Sequence, residues 1–387
     1  MRHYDFLSDP ERERLFFRAP QHFTSDEELG VIAVALGATL YCPATRPQLA
    51  ADLARRAAQG LISVVVCLED AIADEDVPAA EVNVVAQLRA YAATGADGPL
   101  IFVRVRGAHQ IPMIVAGLKE HARALSGFVL PKFTEETGPA FLDAITEAST
   151  TLGRRLLAMP VLESPDVIFA ESRTDALLGV RRLLAKYRDH ILAVRIGATD
   201  LSAAYGLRRS RDLSVYDVRV IADLIADVVN VLARVRDSSR FVVTGPVWEY
   251  FSGAERMFKP QLRESPFVEP AERALRAELI AKDLDGLIRE VALDKANGLT
   301  GKTVIHPGHI AVVHALSVVT HEEYCDAADI LGTRARGGVS ASAYRNKMNE
   351  SKPHTAWAER IVQRAQVFGV ANEDVSFVDL LAAGLQR

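Results

Sequence analysis

Eight short apolar runs rich in β-branched residues, separated by Ala-, Leu- and Arg-rich stretches of helical character, constrain this chain's fold more than anything else in it. The expected strands are 38–42 (ATLYC), 62–68 (ISVVVCL), 100–105 (LIFVRV), 127–131 (GFVLP), 156–162 (LLAMPVL), 191–197 (ILAVRIG), 241–245 (FVVTG) and 303–306 (TVIH). Continuously apolar strands alternating with helices imply a parallel sheet covered on both faces. Eight such units favour a closed (β/α)₈ TIM barrel over an open doubly wound sheet. Between them, 46–59 sets Leu49 and Leu53 one turn apart and stops at Gly60. Residues 215–235 carry Val218, Ile221, Leu224, Ile225, Val228 and Leu232 at helical spacing. No G-x-G-x-x-G follows the first strand, which counts against a dinucleotide fold.

The barrel is expected over 36–320, after an N-terminal extension, 1–35. Two stretches exceed a minimal barrel. Residues 246–290 read as an insertion before the eighth strand, serving as a lid or subunit contact. Residues 321–387 read as a C-terminal helical extension, in which Gly332, Gly337, Gly338, Ser340 and Ser342 form a flexible link before an amphipathic helix near 355–368.

A net charge of −5 gives no reason to expect a nucleic-acid partner, the Arg208–Arg211 patch being surrounded by acids. Three cysteines, Cys42, Cys67 and Cys325, lack metal-ligand spacing and suit a reducing compartment. The charged N-terminus has no apolar core of a signal peptide, and no apolar run reaches the ~18 residues of a membrane span. The expectation is a cytoplasmic protein without membrane association.

In a TIM barrel the chemistry sits at the C-terminal strand ends. The polar residues there are Glu69 and Asp70 after strand two, Arg104 and Arg106 at strand three, and Lys132 after strand four. Glu163, Asp200 and His306 follow strands five, six and eight. Glu163 and Asp200, on neighbouring strands, could share one hard cation, since Mg²⁺ takes a few carboxylates and completes its shell with water and substrate oxygens. Each also has a capping alternative, Asp200 before LSAAY and Glu163 before Ser164-Pro165. Arg104, inside an apolar run, needs an anionic partner. That partner is either a substrate carboxylate or carbonyl oxygen, or an internal acid such as Glu69 or Asp70. Arg106 points to the opposite face and reads as structural. Lys132 is an electrophile, a Schiff-base former or a rim charge, and His306 a packed, hydrogen-bonded residue rather than a base.

These segments, in this order, resemble the HpcH/HpaI aldolase/citrate lyase superfamily, in its citrate lyase β-subunit-like branch. LYCPATRPQL resembles the "PG-x-RP" opening, VVVCLEDAIADED the acidic "DLEDAV" segment, IFVRVRG "VRVN" and GFVLPKF "VLPK". MPVLES resembles the strand bearing the metal-binding glutamate, RIGATDLSAAYGL the "GAEDLAADLG" segment with the metal-binding aspartate, and GKTVIHPGHI the "GKWAIHP-x-Q" ending. The resemblance covers about 38–330. It implies Mg²⁺ (or Mn²⁺) on Glu163 and Asp200, with Arg104 anchoring the substrate. The implied reaction forms or breaks a C–C bond next to a carbonyl in a keto acid, hydroxy acid or acyl-CoA, by a metal-stabilised enolate. Glu69, Asp70 and Glu350 become candidate proton carriers, and Lys132 a substrate contact. Glu350 enters through NKMNESKPH, which resembles with a one-residue shift the "GKMVD-x-PH" lid that a neighbouring subunit supplies. Relatives form trimers or hexamers, so a homo-oligomer is implied.

The departures are the missing Lys and Ala-Arg pair after the acidic loop, where Val77 and Glu81 stand, a longer Glu163–Asp200 spacing, and the 246–290 stretch. They point to the divergent C–C bond lyase branch of the TIM-barrel fold, associated with tellurium-resistance gene clusters. Two other readings keep the same residues: an acyl-CoA thioesterase, and a ligand-binding barrel subunit without turnover.

Overall fold

Eight parallel strands form one sheet in the computed structural model, which describes residues 1–95, 98–235, 240–251, 260–333 and 337–385. They are β1 (Ala38–Pro43), β2 (Ser63–Cys67), β3 (Leu100–Arg104), β4 (Gly127–Leu130), β5 (Leu157–Leu162), β6 (Arg195–Ile196), β7 (Gly245–Trp248) and β8 (Lys302–Val304). The spatial order β6-β5-β4-β3-β2-β1-β8-β7 is that of a barrel cut between β6 and β7. A parallel bridge between Val194 and Val243 spans the cut, where Val194 N–H donates to Val242 O (2.8 Å) and Thr244 N–H to Val194 O (2.9 Å). The fold is therefore a nearly closed (β/α)₈ barrel.

The strands are apolar on both faces because each face meets a separate core. Val65, Phe102, Val129, Met159 and Val161 fill the inside of the barrel. Helix α1 (Leu29–Ala35) closes its N-terminal end by adding Ile32 and Ala33 to this inner core. The outer core packs alternate strand residues, such as Val64, Val66, Ile101 and Val103, against the surrounding helices.

The seventh strand differs from expectation. The apolar stretch 241–243 runs beside β6 by the single bridge, and the ladder with β8 begins only at Gly245. The backbone comes so close to its neighbours there that a Cβ on Gly245 would meet Asp294 Oδ2 at 2.4 Å. Residues 246–248 of the expected insertion therefore belong to the barrel. Residues 252–259 of it lie outside the described residues, and the remainder includes α2 (Pro270–Ala281) and α3 (Leu284–Ala296). Helix α3 is tied to β8 by a buried charge network in which the Lys302 ammonium lies 2.7 Å from both Glu290 and Asp294. Arg209, from the arginine patch, also pairs with Glu290, and Arg211 with Asp283 at 3.1 Å.

The C-terminal region is more ordered than its glycines imply. Helix α4 (His321–Thr333) is followed by an antiparallel hairpin, Val339–Ala341 with Met348–Glu350, and by α5 (Ser351–Phe368). Residues 334–336 of the expected flexible link lie outside the described residues. Helix α5 packs on α4 and on α1, against the N-terminal end of the barrel.

Candidate active site

The parallel register sets the C-terminal strand ends side by side, so polar residues just beyond the apolar runs converge. Arg104, the last residue of β3, is the centre of the group. Its Nη2 lies 2.6 Å from Glu69 Oε2, 3.2 Å from Asp70 Oδ2 and 2.9 Å from Glu163 Oε1. The Lys132 ammonium, beyond β4, reaches Glu69 Oε1 at 2.6 Å. Of the alternatives expected for Arg104, the structure shows the internal one: its partners are Glu69 and Asp70, joined by Glu163. Arg106 is structural, as its position implied. Its Nε donates to Leu68 O (2.7 Å) and its Nη2 to Ile72 O (3.1 Å), which holds the acidic loop after β2 in place.

Glu163 is buried directly after β5. Its Oε1 accepts from Arg104 and from the backbone N–H of Lys132 (2.8 Å). Lys132 sits at φ +46°, a strained conformation for a non-glycine residue, and this turn aims its N–H at the carboxylate. On the other side stands Gly197, where a Cβ would meet Glu163 Oε2 at 2.4 Å, so only glycine lets the two strand ends approach this closely. Asp200 lies in the first turn of the short helix Ala198–Ala203, whose cap position is Gly197. Neither carboxylate is therefore a cap: Ser164 holds that position for the turn after β5.

Electrostatics divides the carboxylates. Burial pushes Glu163 up to about 7; Arg104 and the Lys132 N–H oppose the shift, and the Asp200 and Glu69 charges add to it. Burial and the hydrogen bond and charge of Glu69 raise Asp70. Glu69 itself, against the cost of burial, is held well below the usual carboxylate range by its bonds to Asp70 and Lys132 and by the Arg104 charge. The hydrogen bond to Glu69 raises Lys132, which keeps it an ammonium. A Schiff-base lysine needs the opposite shift, so this environment suits Lys132 as a fixed cation. An open groove of about 570 Å³ leads onto Glu69, Asp70 and Lys132.

Two expected residues lie apart. Glu350 ends the C-terminal hairpin and is exposed, its backbone N–H donating to His354 Nδ1 of α5, the helix packed against the N-terminal end of the barrel. His306 is exposed rather than packed inside. Its ring stacks on Phe251 at 5.0 Å and its Nδ1 accepts from Gly308 N–H. Two further residues went unnoticed in the sequence. Arg195 of β6 is fully buried inside the barrel, donating to Thr303 Oγ1 at 2.5 Å and lying 5.4 Å from the Tyr41 ring. Burial raises the Tyr41 phenol, against the Arg195 and Arg104 charges, so it stays protonated beside the acids. The signal for Arg195 was the one used for Arg104, a cation interrupting an apolar strand.

The sequence pattern of the C–C bond lyase family of the TIM-barrel fold matches residues 30–370. The chain belongs to this family. No curated protein sequence matches it. Among solved structures it resembles a citrate lyase from Burkholderia xenovorans, at 15% identity and a TM-score of 0.58, covering 90% of this chain and 96% of that one. It also resembles the Mycobacterium tuberculosis CitE protein in complex with magnesium, acetoacetate and coenzyme A, at 21% identity and a TM-score of 0.50, covering 86% and 99%. A third is Haloferax volcanii malate synthase, at 14% identity and a TM-score of 0.51, covering 76% and 75%. At these identities the likeness shows a shared fold. No helix among the described residues is long and apolar enough to cross a membrane.

A divalent cation fits the Glu163–Asp200 pair on the chemistry of its donors. Glu163 is buried, Asp200 repels it, and its Oε2 carries neither of the bonds from Arg104 and Lys132. Among the described residues no three His, Cys, Asp or Glu side chains gather as a complete protein-ligand set. Carboxylate oxygens suit a hard divalent cation such as Mg²⁺ or Mn²⁺.

Proposed function

We propose that the chain is a Mg²⁺-dependent carbon–carbon lyase acting on a small keto or hydroxy acid, as the free acid or its coenzyme A thioester. The observation that supports this reading is the meeting of Glu163, Arg104 and the Glu69–Asp70 pair at adjoining strand ends, with Asp200 beside Glu163. Glu163 and Asp200 would hold the cation, which supplies Lewis-acid polarisation of a substrate carbonyl when bound. Arg104 takes a substrate carboxylate or the enolate oxygen, so charge develops opposite a cation already in place. Asp70, whose carboxyl retains a proton more readily than an ordinary aspartate, donates and recovers the proton at the reacting carbon while Glu69 stays ionised. Lys132 adds a second positive charge for the substrate's acid group. Glu350 would take part only from a neighbouring subunit in a homo-oligomer.

The test is exchange of pyruvate methyl protons into D₂O, followed by NMR. The expected outcome is Mg²⁺-dependent exchange that Glu163→Gln abolishes and Arg104→Met slows by about 10²-fold or more. Exchange unaffected by chelation and by both substitutions contradicts the reading. With an acyl-CoA, a cleaved carbon skeleton supports a lyase, and free thiol without C–C cleavage contradicts it in favour of a thioesterase.

A further inference from the structure

A second cleft, of about 560 Å³, lies at the opposite end of the barrel, between α5, the end of α3 and the segments entering β7 and β8. Its charged lining among the described residues consists of Arg240, Lys295, Arg360 and Arg364 against one carboxylate, Glu323. That excess of cations is concentrated in a molecule whose formal net charge is −5.

The cations perturb one another. Desolvation of its head and the neighbouring Arg364 push Lys295 down to about 8, opposed by Glu323. Burial and the charges of Arg240 and Arg364 lower Arg360. Arg360 and Arg364 stand at i, i+4 on α5, a like-charge spacing that destabilises a helix without a counter-charge. Their donors are only partly used. Arg360 gives one bond to Gly298 O (3.1 Å), and Arg364 one to Glu323 (2.7 Å). The Arg364 Nε–H is buried with no partner. Trp357, three residues before Arg360 on the same helical face, is 39% exposed and lines the cleft.

We propose that this cleft is a ligand site for a phosphorylated metabolite of the nucleotide class. The phosphates neutralise the arginines and Lys295, and the planar ring lies on Trp357. Guanidinium forks match phosphate oxygens bidentately, an aromatic face accepts a ring by stacking, and the volume is that of a small-molecule pocket. The site is independent of the proposed lyase reaction, being at the other end of the barrel from Glu163 and Arg104.

Titration of the full chain with ATP, in EDTA so that no metal bridges ligand to the catalytic end, tests it. The chain has two tryptophans, and Trp248 is buried, so quenching reports on Trp357. We expect saturable quenching, weakened by salt, with affinity reduced about tenfold or more in Arg360→Gln. Arg240→Ala, at an exposed position that keeps the fold, should also weaken it, and Glu163→Gln should leave it unchanged. Inorganic tripolyphosphate should bind more weakly than ATP. Equal binding without quenching overturns the nucleotide assignment in favour of a bare polyphosphate. Absence of saturable binding, wild-type affinity in Arg240→Ala, or an ATP-free oligomer that Arg240→Ala takes apart overturns the site altogether.

Discussion

At the C-terminal end of the barrel Glu69, Asp70 and Glu163 crowd around Arg104, with Lys132 on Glu69 and the Asp200 charge acting on Glu163; at the N-terminal end Arg240, Lys295, Arg360 and Arg364 line one cleft with the single carboxylate Glu323. Both arrangements cost stability by themselves, because charges of one sign outnumber their partners. The contrast with the buried network between them is instructive. Lys302 is fully enclosed, yet Glu290 and Asp294 both lie within 2.7 Å of it, and Arg209 and Tyr216 occupy their remaining oxygens. A matched network holds α3 to the sheet. An unmatched one is where the proposed ligands would complete the charge.

Arg104→Met breaks the comparison most severely, because it removes the one cation shared by three carboxylates. The expected loss in proton-exchange rate is about 10²–10³-fold, measured by NMR, with ATP quenching at the opposite end retained. Lys302→Met acts on the matched network instead. Leaving Asp294 without a cation, and Glu290 with Arg209 alone, should cost about 3–5 kcal/mol by urea denaturation, without loss of Mg²⁺ binding in the protein that remains folded.

The pH dependences of the two ends should have opposite signs. Glu163, raised to about 7, must lose its proton to hold a cation. Mg²⁺ affinity should therefore level off above that pH and fall about tenfold per unit below it, as followed by calorimetry. Lys295, lowered to about 8 between Arg364 and Glu323, must be protonated to attract phosphate, so ATP affinity should fall as pH rises through 8. Smallest is Lys132→Met: a rise in KM of about tenfold with less change in kcat, as expected for a cation that binds substrate without forming a covalent bond. Borohydride with pyruvate should trap no adduct on Lys132.

The barrel was legible in the sequence because its signal is local. Runs such as ISVVVCL and LLAMPVL must be covered on both faces, and only a parallel sheet wrapped by helices does that for eight of them. The seventh strand was misplaced because apolar content reports burial and not pairing: Phe241 and Val243 are buried before the ladder begins at Gly245. Arg104 and the strand-end acids stood out as polar residues terminating apolar runs. Arg195 carried the same signal but lies one layer deeper, paired with Val161 rather than at the rim, and strand ends alone did not lead to it. The hairpin near 339–350 was hidden by its glycines, two of which, Gly337 and Gly338, take positive φ to turn the chain into it. The N-terminal cleft had no sequence signature, since its cations come from separate elements that only the folded chain brings together.

Calorimetric titration of Mg²⁺ at pH 8 into the wild-type chain, Glu163→Gln and Asp200→Asn bears most directly on the central claim. The account predicts one saturable site in the wild type, lost in both variants while their thermal unfolding stays cooperative. Mg²⁺ binding of wild-type affinity in both variants would contradict it.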